Sequence, residues 1–246
     1  MEEFVIELAG VPVRIRCRFQ ENRGFFQEYL SDKEPLFTVE PSRDDLLKMQ
    51  ADFDRTAQIE GHSMHSYSES FLENNAIHAI IAEKLVAYGV LLMHGSALCM
   101  DGSGYIFTAP SGTGKSTHTR LWREAFGSRV WMINDDKPML EIRETGVTVW
   151  GTPWNGKHHL SRNACAPLKA IVSLHRGETN RIIPMSRADA FPVLMKQAYS
   201  SENPATMGGI IKLEKQLLNT VDFYKLSCNM MPEAAIVAWQ KLSARN

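Results

Sequence analysis

Near the start of the chain apolar and polar residues alternate strictly. Val13, Ile15 and Cys17 fall on one side of the period, and Arg14, Arg16 and Arg18 on the other. That is the period-two signature of a half-buried strand. Phe4-Val-Ile-Glu-Leu precedes it across Gly10-Val-Pro, so residues 4–18 predict a hairpin with its arginines on a solvated sheet face. Residues 19–72 are polar and irregular, broken by a strand at Pro35-Leu-Phe-Thr-Val and a capped helix opening at Ser42-Arg-Asp-Asp-Leu-Leu. From residue 71 the spacing turns helical. Ile77, Ile80, Ile81, Leu85 and Val86 share a face, and Gly89 is a fitting stop. Segments 96–100 and 105–109 predict a hairpin about Asp101-Gly-Ser-Gly104. A helix over 116–126 ends at Gly127, and a buried strand over 129–134 ends in Asp135-Asp136. A further hairpin follows, Met139 to Arg143 and Val147 to Trp150 about Glu144-Thr-Gly146. Then come a strand over 168–175, helices over 186–200 and 207–221, a strand over 223–228 and a closing amphipathic helix with Pro232 near its start.

This order predicts an α/β protein of α+β character: a mixed sheet with flanking helices and an N-terminal β-rich extension. Residues 1–70 are expected to form the small extension and 71–246 the core, with one domain as the alternative. No internal repeat or low-complexity segment is present. The chain has 246 residues, 44% of them hydrophobic and 22% charged, ordinary for a globular protein able to bury a core. Its net charge is −1, from 27 basic and 28 acidic residues, so no general basic field exists to attract nucleic acid or an anionic membrane. The four cysteines (Cys17, Cys99, Cys165, Cys228) form no C-x-x-C pair. Structural zinc is therefore not expected, and a reducing cytoplasm is. Met1-Glu-Glu-Phe carries acids where a signal peptide would carry bases, and Ala76 to Met93 is interrupted by His78, Glu83 and Lys84. Neither a secretory signal nor a membrane span is expected.

The chemistry concentrates at Tyr105-Ile-Phe-Thr-Ala-Pro-Ser-Gly-Thr-Gly-Lys-Ser-Thr117. An apolar strand runs into a glycine-rich loop and then a helix, the arrangement that cradles a polyphosphate. Glycines let backbone N–H groups turn inward, and the helix start adds its positive dipole end. The nucleotide-binding candidates are Ser111, Gly112, Thr113, Gly114, Lys115, Ser116 and Thr117. Lys115 would reach the β- and γ-phosphates, and Ser116 would hold Mg²⁺. Ala109 stands where the usual pattern has glycine. Asp135 lies 20 residues after Lys115, one helix, a turn and a strand away. A parallel neighbouring strand would return the paired acids to the loop, where one can share the metal with Ser116. Gly151-Thr-Pro-Trp-Asn-Gly-Lys-His-His is rich in turn residues yet carries Trp154, Lys157, His158 and His159. It is the candidate substrate loop, with a rigid loop bearing surface histidines as the alternative. Arg176 and Arg181 are candidates for stabilising a transferred phosphate. His62 and His65, in serine-rich surroundings with Glu69, read as surface residues.

These landmarks resemble the HPr kinase/phosphorylase and ATP-dependent phosphoenolpyruvate carboxykinase superfamily. The likeness is carried by His94-Gly95, by Ala-Pro-Ser-Gly-Thr-Gly-Lys-Ser (109–116) and by Asn134-Asp-Asp-Lys137, in that order. It spans about residues 90 to 160, and the chain is most like small HPr-kinase-related proteins linked to modified-peptide pathways. The resemblance implies a P-loop core that binds ATP and Mg²⁺. It assigns phosphate binding to Lys115, metal binding to Ser116 and one of the paired acids, and the acceptor's proton to the other. Asp135 is given the metal and Asp136 the proton, with the reverse division as the alternative. His94 is implied as a supporting catalytic residue. The expected function is transfer of the γ-phosphate to a hydroxyl on a peptide, protein or small metabolite, in a chain that the relatives suggest is a homo-oligomer. The alternatives are a nucleotide-gated binding protein without transfer and a carboxykinase-like lyase.

Overall fold

A computed structural model describes residues 1–244. The chain divides into two compact units, Met1–Tyr88 and the residues from Gly89 onward. In the first, β1 (Glu2–Leu8) and β2 (Val11–Cys17) pair antiparallel about Ala9 and Gly10, both in the left-handed region. The alternation places Val13, Ile15 and Cys17 in the interior. Arg14 and Arg16 instead form ion pairs across the hairpin with Glu3, at 3.6 and 2.7 Å. Helix α1 (Gln20–Phe25) follows, then β3 (Phe37–Val39), parallel to β2.

Helix α2 (Arg43–Glu60) opens with a reciprocal cap. The Ser42 hydroxyl accepts the Asp45 N–H, and the Asp45 carboxylate accepts the Ser42 N–H at 2.7 Å. The stretch that reads as irregular thus holds an 18-residue helix. Its apolar stripe is narrow: Leu46, Met49 and Phe53 meet Leu72 and Ala76 of α3 (Glu69–Leu85). The first unit therefore carries more helix than strand, contrary to the β-rich expectation, and it includes the helix expected over 71–88. Glu73 of α3 is wholly buried. Its carboxyl accepts the N–H groups of Arg18 (2.9 Å) and Phe19 (3.3 Å) and the Asn22 amide (2.8 Å). It thereby anchors the chain where it enters α1, whose N-cap residue Phe19 makes no side-chain cap bond.

The second unit is built on a mixed sheet. Its strands are β4 (Val90–Leu92), β5 (Ser96–Met100), β6 (Ser103–Thr108), β7 (Val130–Asn134), β8 (Met139–Arg143), β9 (Gly146–Trp150), β10 (Cys165–Arg176), β11 (Arg181–Pro184) and β12 (Asp222–Cys228). The order is β4-β8-β9-β10-β6-β5-β7, with β12 parallel to β10 and β11 antiparallel to β12. β11 carries no signal in the sequence pattern. β10 changes partners along its length: Cys165–Pro167 pairs antiparallel with β9, and the segment from Leu168 runs parallel to β6 and β12. β5 and β6 are buried on both faces from Gly104 to Thr108 and from Ser96 to Met100, which explains their nearly continuous apolar runs.

One expectation is corrected here. β7 does not lie next to β6; β5 sits between them and runs antiparallel to both. The consequence for the site is constructive. The start of β5 meets the ends of β6 and β7, so His94-Gly95, Thr108-Ala109 and Asn134-Asp135-Asp136 gather at one sheet edge. Gly95 is required there: a Cβ would stand 2.8 Å from Ile106 Cγ2 and 3.2 Å from the Phe107 carbonyl. Helices α4 (Lys115–Phe126) and α7 (Glu233–Ser243) cover the sheet through Trp122, which is fully buried against Tyr105, Phe107 and Trp239. Between β11 and β12 lie α5 (Arg187–Gln197) and α6 (Pro204–Thr220).

Candidate functional site

The site is assembled at the ends of parallel strands, where an α/β sheet presents its loops and helix starts. β6 ends at Thr108, and the glycine loop turns into α4 at Lys115. Gly112 (φ +72°) and Gly114 (φ +122°) hold backbone conformations that a side chain resists. Gly114 caps the helix without a side-chain bond, and the His118 N–H donates to the Gly114 carbonyl at 2.9 Å. The N–H groups of the first turn have no helical acceptors, and the dipole's positive end is here. Ser111 and Gly112 are exposed; Thr113 through Thr117 are half-buried. Lys115 folds back along the loop, its Nζ donating to the Ala109 carbonyl at 2.9 Å. Burial lowers its pKa from the ordinary value; the Asp136 charge opposes that shift and the Lys137 charge adds to it.

Asp135 and Asp136 sit in different surroundings. Asp135 is buried and its Oδ1 accepts the Gly156 N–H at 2.7 Å. Gly156 is the residue that fits, since a Cβ would stand 3.2 Å from Asp135 Oδ2. Asp136 is half-exposed, and its Oδ1 lies 3.2 Å from His94 Nε2. Burial raises the Asp136 pKa, but the His94 hydrogen bond and the charges of Lys137, His94 and Lys115 outweigh it, leaving the carboxyl below the ordinary 3.8. The mutual effects of Lys115 and Asp136 mean that the glycine loop and the acidic turn share one electrostatic environment.

Three further residues organise this site: Asn134 and Gln197, which the sequence reading gave no role, and Arg176, whose role differs from the expected one. Asn134 is wholly buried. Its Oδ1 accepts the N–H groups of Asp136 (2.8 Å) and Lys137 (2.6 Å), while its amide reaches the carbonyls of Thr152 and Trp154, both at 3.1 Å. It pins the acidic turn to the 152–156 loop. Gln197 follows: its carbonyl accepts the His94 N–H at 2.7 Å, and its side-chain oxygen lies 3.1 Å from Thr108 Oγ1. Arg176, considered earlier as a phosphate ligand, donates to the Gly112 carbonyl at 2.6 Å and so braces the loop. Asn134 is detectable in principle, as an Asx residue before a turn. Gln197 carries no sequence signal, being 89 residues from Thr108.

Of the candidate substrate loop, Trp154 is buried, and Lys157, His158 and His159 face solvent. Arg181 is exposed on β11, opposite Ser227. For a metal, the chain offers hard oxygen donors: the Ser116 hydroxyl and Asp135 Oδ2. Among the described residues no group of three or more His, Cys, Asp or Glu is placed to hold an ion. One carboxylate and one hydroxyl suit Mg²⁺, which keeps waters and takes ligands from phosphate, rather than a zinc cage.

His118, at the end of the first turn of α4, is buried and packs edge-on against Phe107. Its Nε2 accepts the Trp122 indole N–H at 3.0 Å. Burial pushes its pKa down to about 3 from 6.5. The folded state therefore holds this ring neutral, and the stability linked to it is complete above pH 6.5 and lost progressively as pH falls towards 3. Between pH 7 and pH 5 denaturant melts are expected to show about 2 kcal/mol of destabilisation from this residue. His118→Gln, which keeps an acceptor for Trp122, should flatten that slope.

The fold and site define a mixed α/β protein whose strand, glycine loop and helix adjoin an acidic strand end with a paired histidine. The chain belongs to the family described as SynChlorMet cassette protein ScmC, whose model matches residues 62–232. No curated protein matches the sequence. Among solved structures, the Hpr(Ser) kinase/phosphatase from Coxiella burnetii aligns over 61% of this chain and 95% of its own, at 10% identity and a TM-score of 0.36. A likeness that loose carries no functional argument. Among the described residues no helix is long and apolar enough to cross a membrane.

Proposed function

We propose that the protein is a kinase that moves the γ-phosphate of Mg²⁺–ATP to a hydroxyl group. The observation that carries this reading is the half-exposed Asp136 carboxylate, bonded to His94 and electrostatically linked to Lys115 of the glycine loop. Backbone N–H groups of 111–116 receive the phosphates, and the Lys115 ammonium, released from the Ala109 carbonyl, neutralises charge on the transferring group. Ser116 and Asp135 would hold Mg²⁺, which supplies further neutralisation of that charge. Asp136 accepts the proton of the acceptor hydroxyl. The oxygen so freed bonds to the γ-phosphorus while the bond to the β–γ bridging oxygen breaks and ADP leaves. His94 donates to Asp136 and holds it in orientation. A depressed pKa suits this role, because phosphoryl transfer through a loose transition state asks for positioning more than for a strong base. The acceptor is a serine of a peptide or protein, or a small metabolite.

The test is incubation with γ-labelled ATP, Mg²⁺ and serine-containing peptides or small hydroxyl compounds. Labelled product is expected, and Lys115→Ala should abolish it. ATP-dependent stabilisation with no labelled product for any acceptor would replace this reading with a nucleotide-gated binding protein.

A further inference from the structure

A second feature lies on the other side of the glycine loop from the acids. A cavity of about 490 Å³ opens between Gly112–Gly114 with the first turns of α4, the end of β10 and the end of β12. Small-molecule sites commonly have volumes of about 300–1,000 Å³. Its wall includes the buried Leu121 and Leu174, and Met230, which is 77% exposed, stands at its edge. The Arg176 bond to the Gly112 carbonyl joins the loop to the end of β10, so the cavity wall and the glycine loop form one braced piece.

Several polar groups of this wall are engaged already. The Gly177 N–H donates to the Cys228 carbonyl, the Asn229 N–H to Asn180 Oδ1, and the Met231 N–H to Asn229 Oδ1, each at 3.0 Å. The Asn229 amide donates to the Glu178 carbonyl at 3.1 Å. His118 also lines the cavity, with its Nδ1 buried and unpartnered. Because Nε2 accepts from Trp122, the neutral ring carries its proton on that Nδ1. The wall is therefore mostly apolar and continuous with the loop; the Thr113 and Thr117 hydroxyls and the exposed His175 ring also lie along it, and the His118 Nδ1 donor is buried without an acceptor.

We infer that this cavity receives the nucleoside part of a nucleoside triphosphate whose phosphates lie on the glycine loop. It holds the base by shape and apolar contact rather than by reading its hydrogen-bonding edge. Adenine and guanine nucleotides are accepted alike. This inference rests on the phosphate-loop reading above, and the two fail in different ways.

The experiment is calorimetric titration of the full chain, with Mg²⁺, by ATP, GTP and inorganic tripolyphosphate. ATP and GTP should bind within about threefold of each other and each at least about tenfold tighter than tripolyphosphate. Cys228→Phe, which fills the cavity from the end of β12, should bring both nucleotides to the tripolyphosphate level while leaving tripolyphosphate unchanged. Met230→Ala, at an exposed position that does not threaten folding, should weaken both nucleotides alike. Tripolyphosphate binding as tightly as ATP, or a folded Cys228→Phe protein that keeps its nucleotide preference, overturns the cavity assignment and leaves the loop reading intact. A preference of about a hundredfold for one purine overturns the claim that the base edge goes unread. Failure of all three compounds to bind overturns the loop reading itself, and this inference with it.

Discussion

Asp136→Asn should lower phosphoryl transfer by about a thousandfold, or ~4 kcal/mol in the barrier, while nucleotide affinity stays near that of the parent. The substitution keeps the size of the side chain and an oxygen for His94 but removes the proton acceptor. A further readout separates the two acids. If Asp136 held the metal instead, the variant would need far more Mg²⁺ for half-maximal binding, and Asp135→Asn would be the variant that loses the rate. Asp135 is buried and tied to the Gly156 N–H, whereas Asp136 is half-exposed beside His94. Under the proposed reaction, the acceptor hydroxyl would therefore reach Asp136 rather than Asp135. The depressed pKa sets the expected pH profile: the base stays ionised down to below pH 3.8, so no acid limb from Asp136 should appear near neutrality. The same shift means that stability from its pairing is complete above the ordinary pKa and is lost as pH falls through the folded one. Full activity in Asp136→Asn would rule out its role as base.

Glu73→Leu should cost about 4 kcal/mol in the stability of the first unit. The carboxyl is wholly buried and is the acceptor for Arg18 N–H, Phe19 N–H and the Asn22 amide. Leucine fills similar space but leaves those donors without partners, at about 1–3 kcal/mol each. Glu73→Gln keeps one acceptor oxygen and should lose about half as much. Urea unfolding of the two variants against the parent reads the difference directly. A loss below about 1 kcal/mol for Glu73→Leu would mean that α1 and the end of β2 do not depend on this anchor.

The hairpin at the start of the chain, the helix stopped by Gly89, the strand–loop–helix about Lys115 and the acidic strand end were all legible in the sequence. Their signals are local. Alternation at period two, spacing at 3.6, caps and glycines act over a few residues, and the structure follows them in β1, β2, α3, β6, α4 and β7. The polar helix α2 was missed except for its cap, because its buried stripe is too narrow for the pattern to register. Other features depend on partners distant in the chain. The insertion of β5 between β6 and β7, the burial of Trp154, and the contact of Gln197 with Thr108 arise from strand pairing and packing that no local period encodes. The different surroundings of two adjacent aspartates are the clearest case. Sequence alone determined that acids end this strand, since composition and spacing are local properties. Only the tertiary structure decided that one is enclosed by Gly156 and the other faces out beside His94, because burial and hydrogen-bond partners are set by what the rest of the chain packs around them.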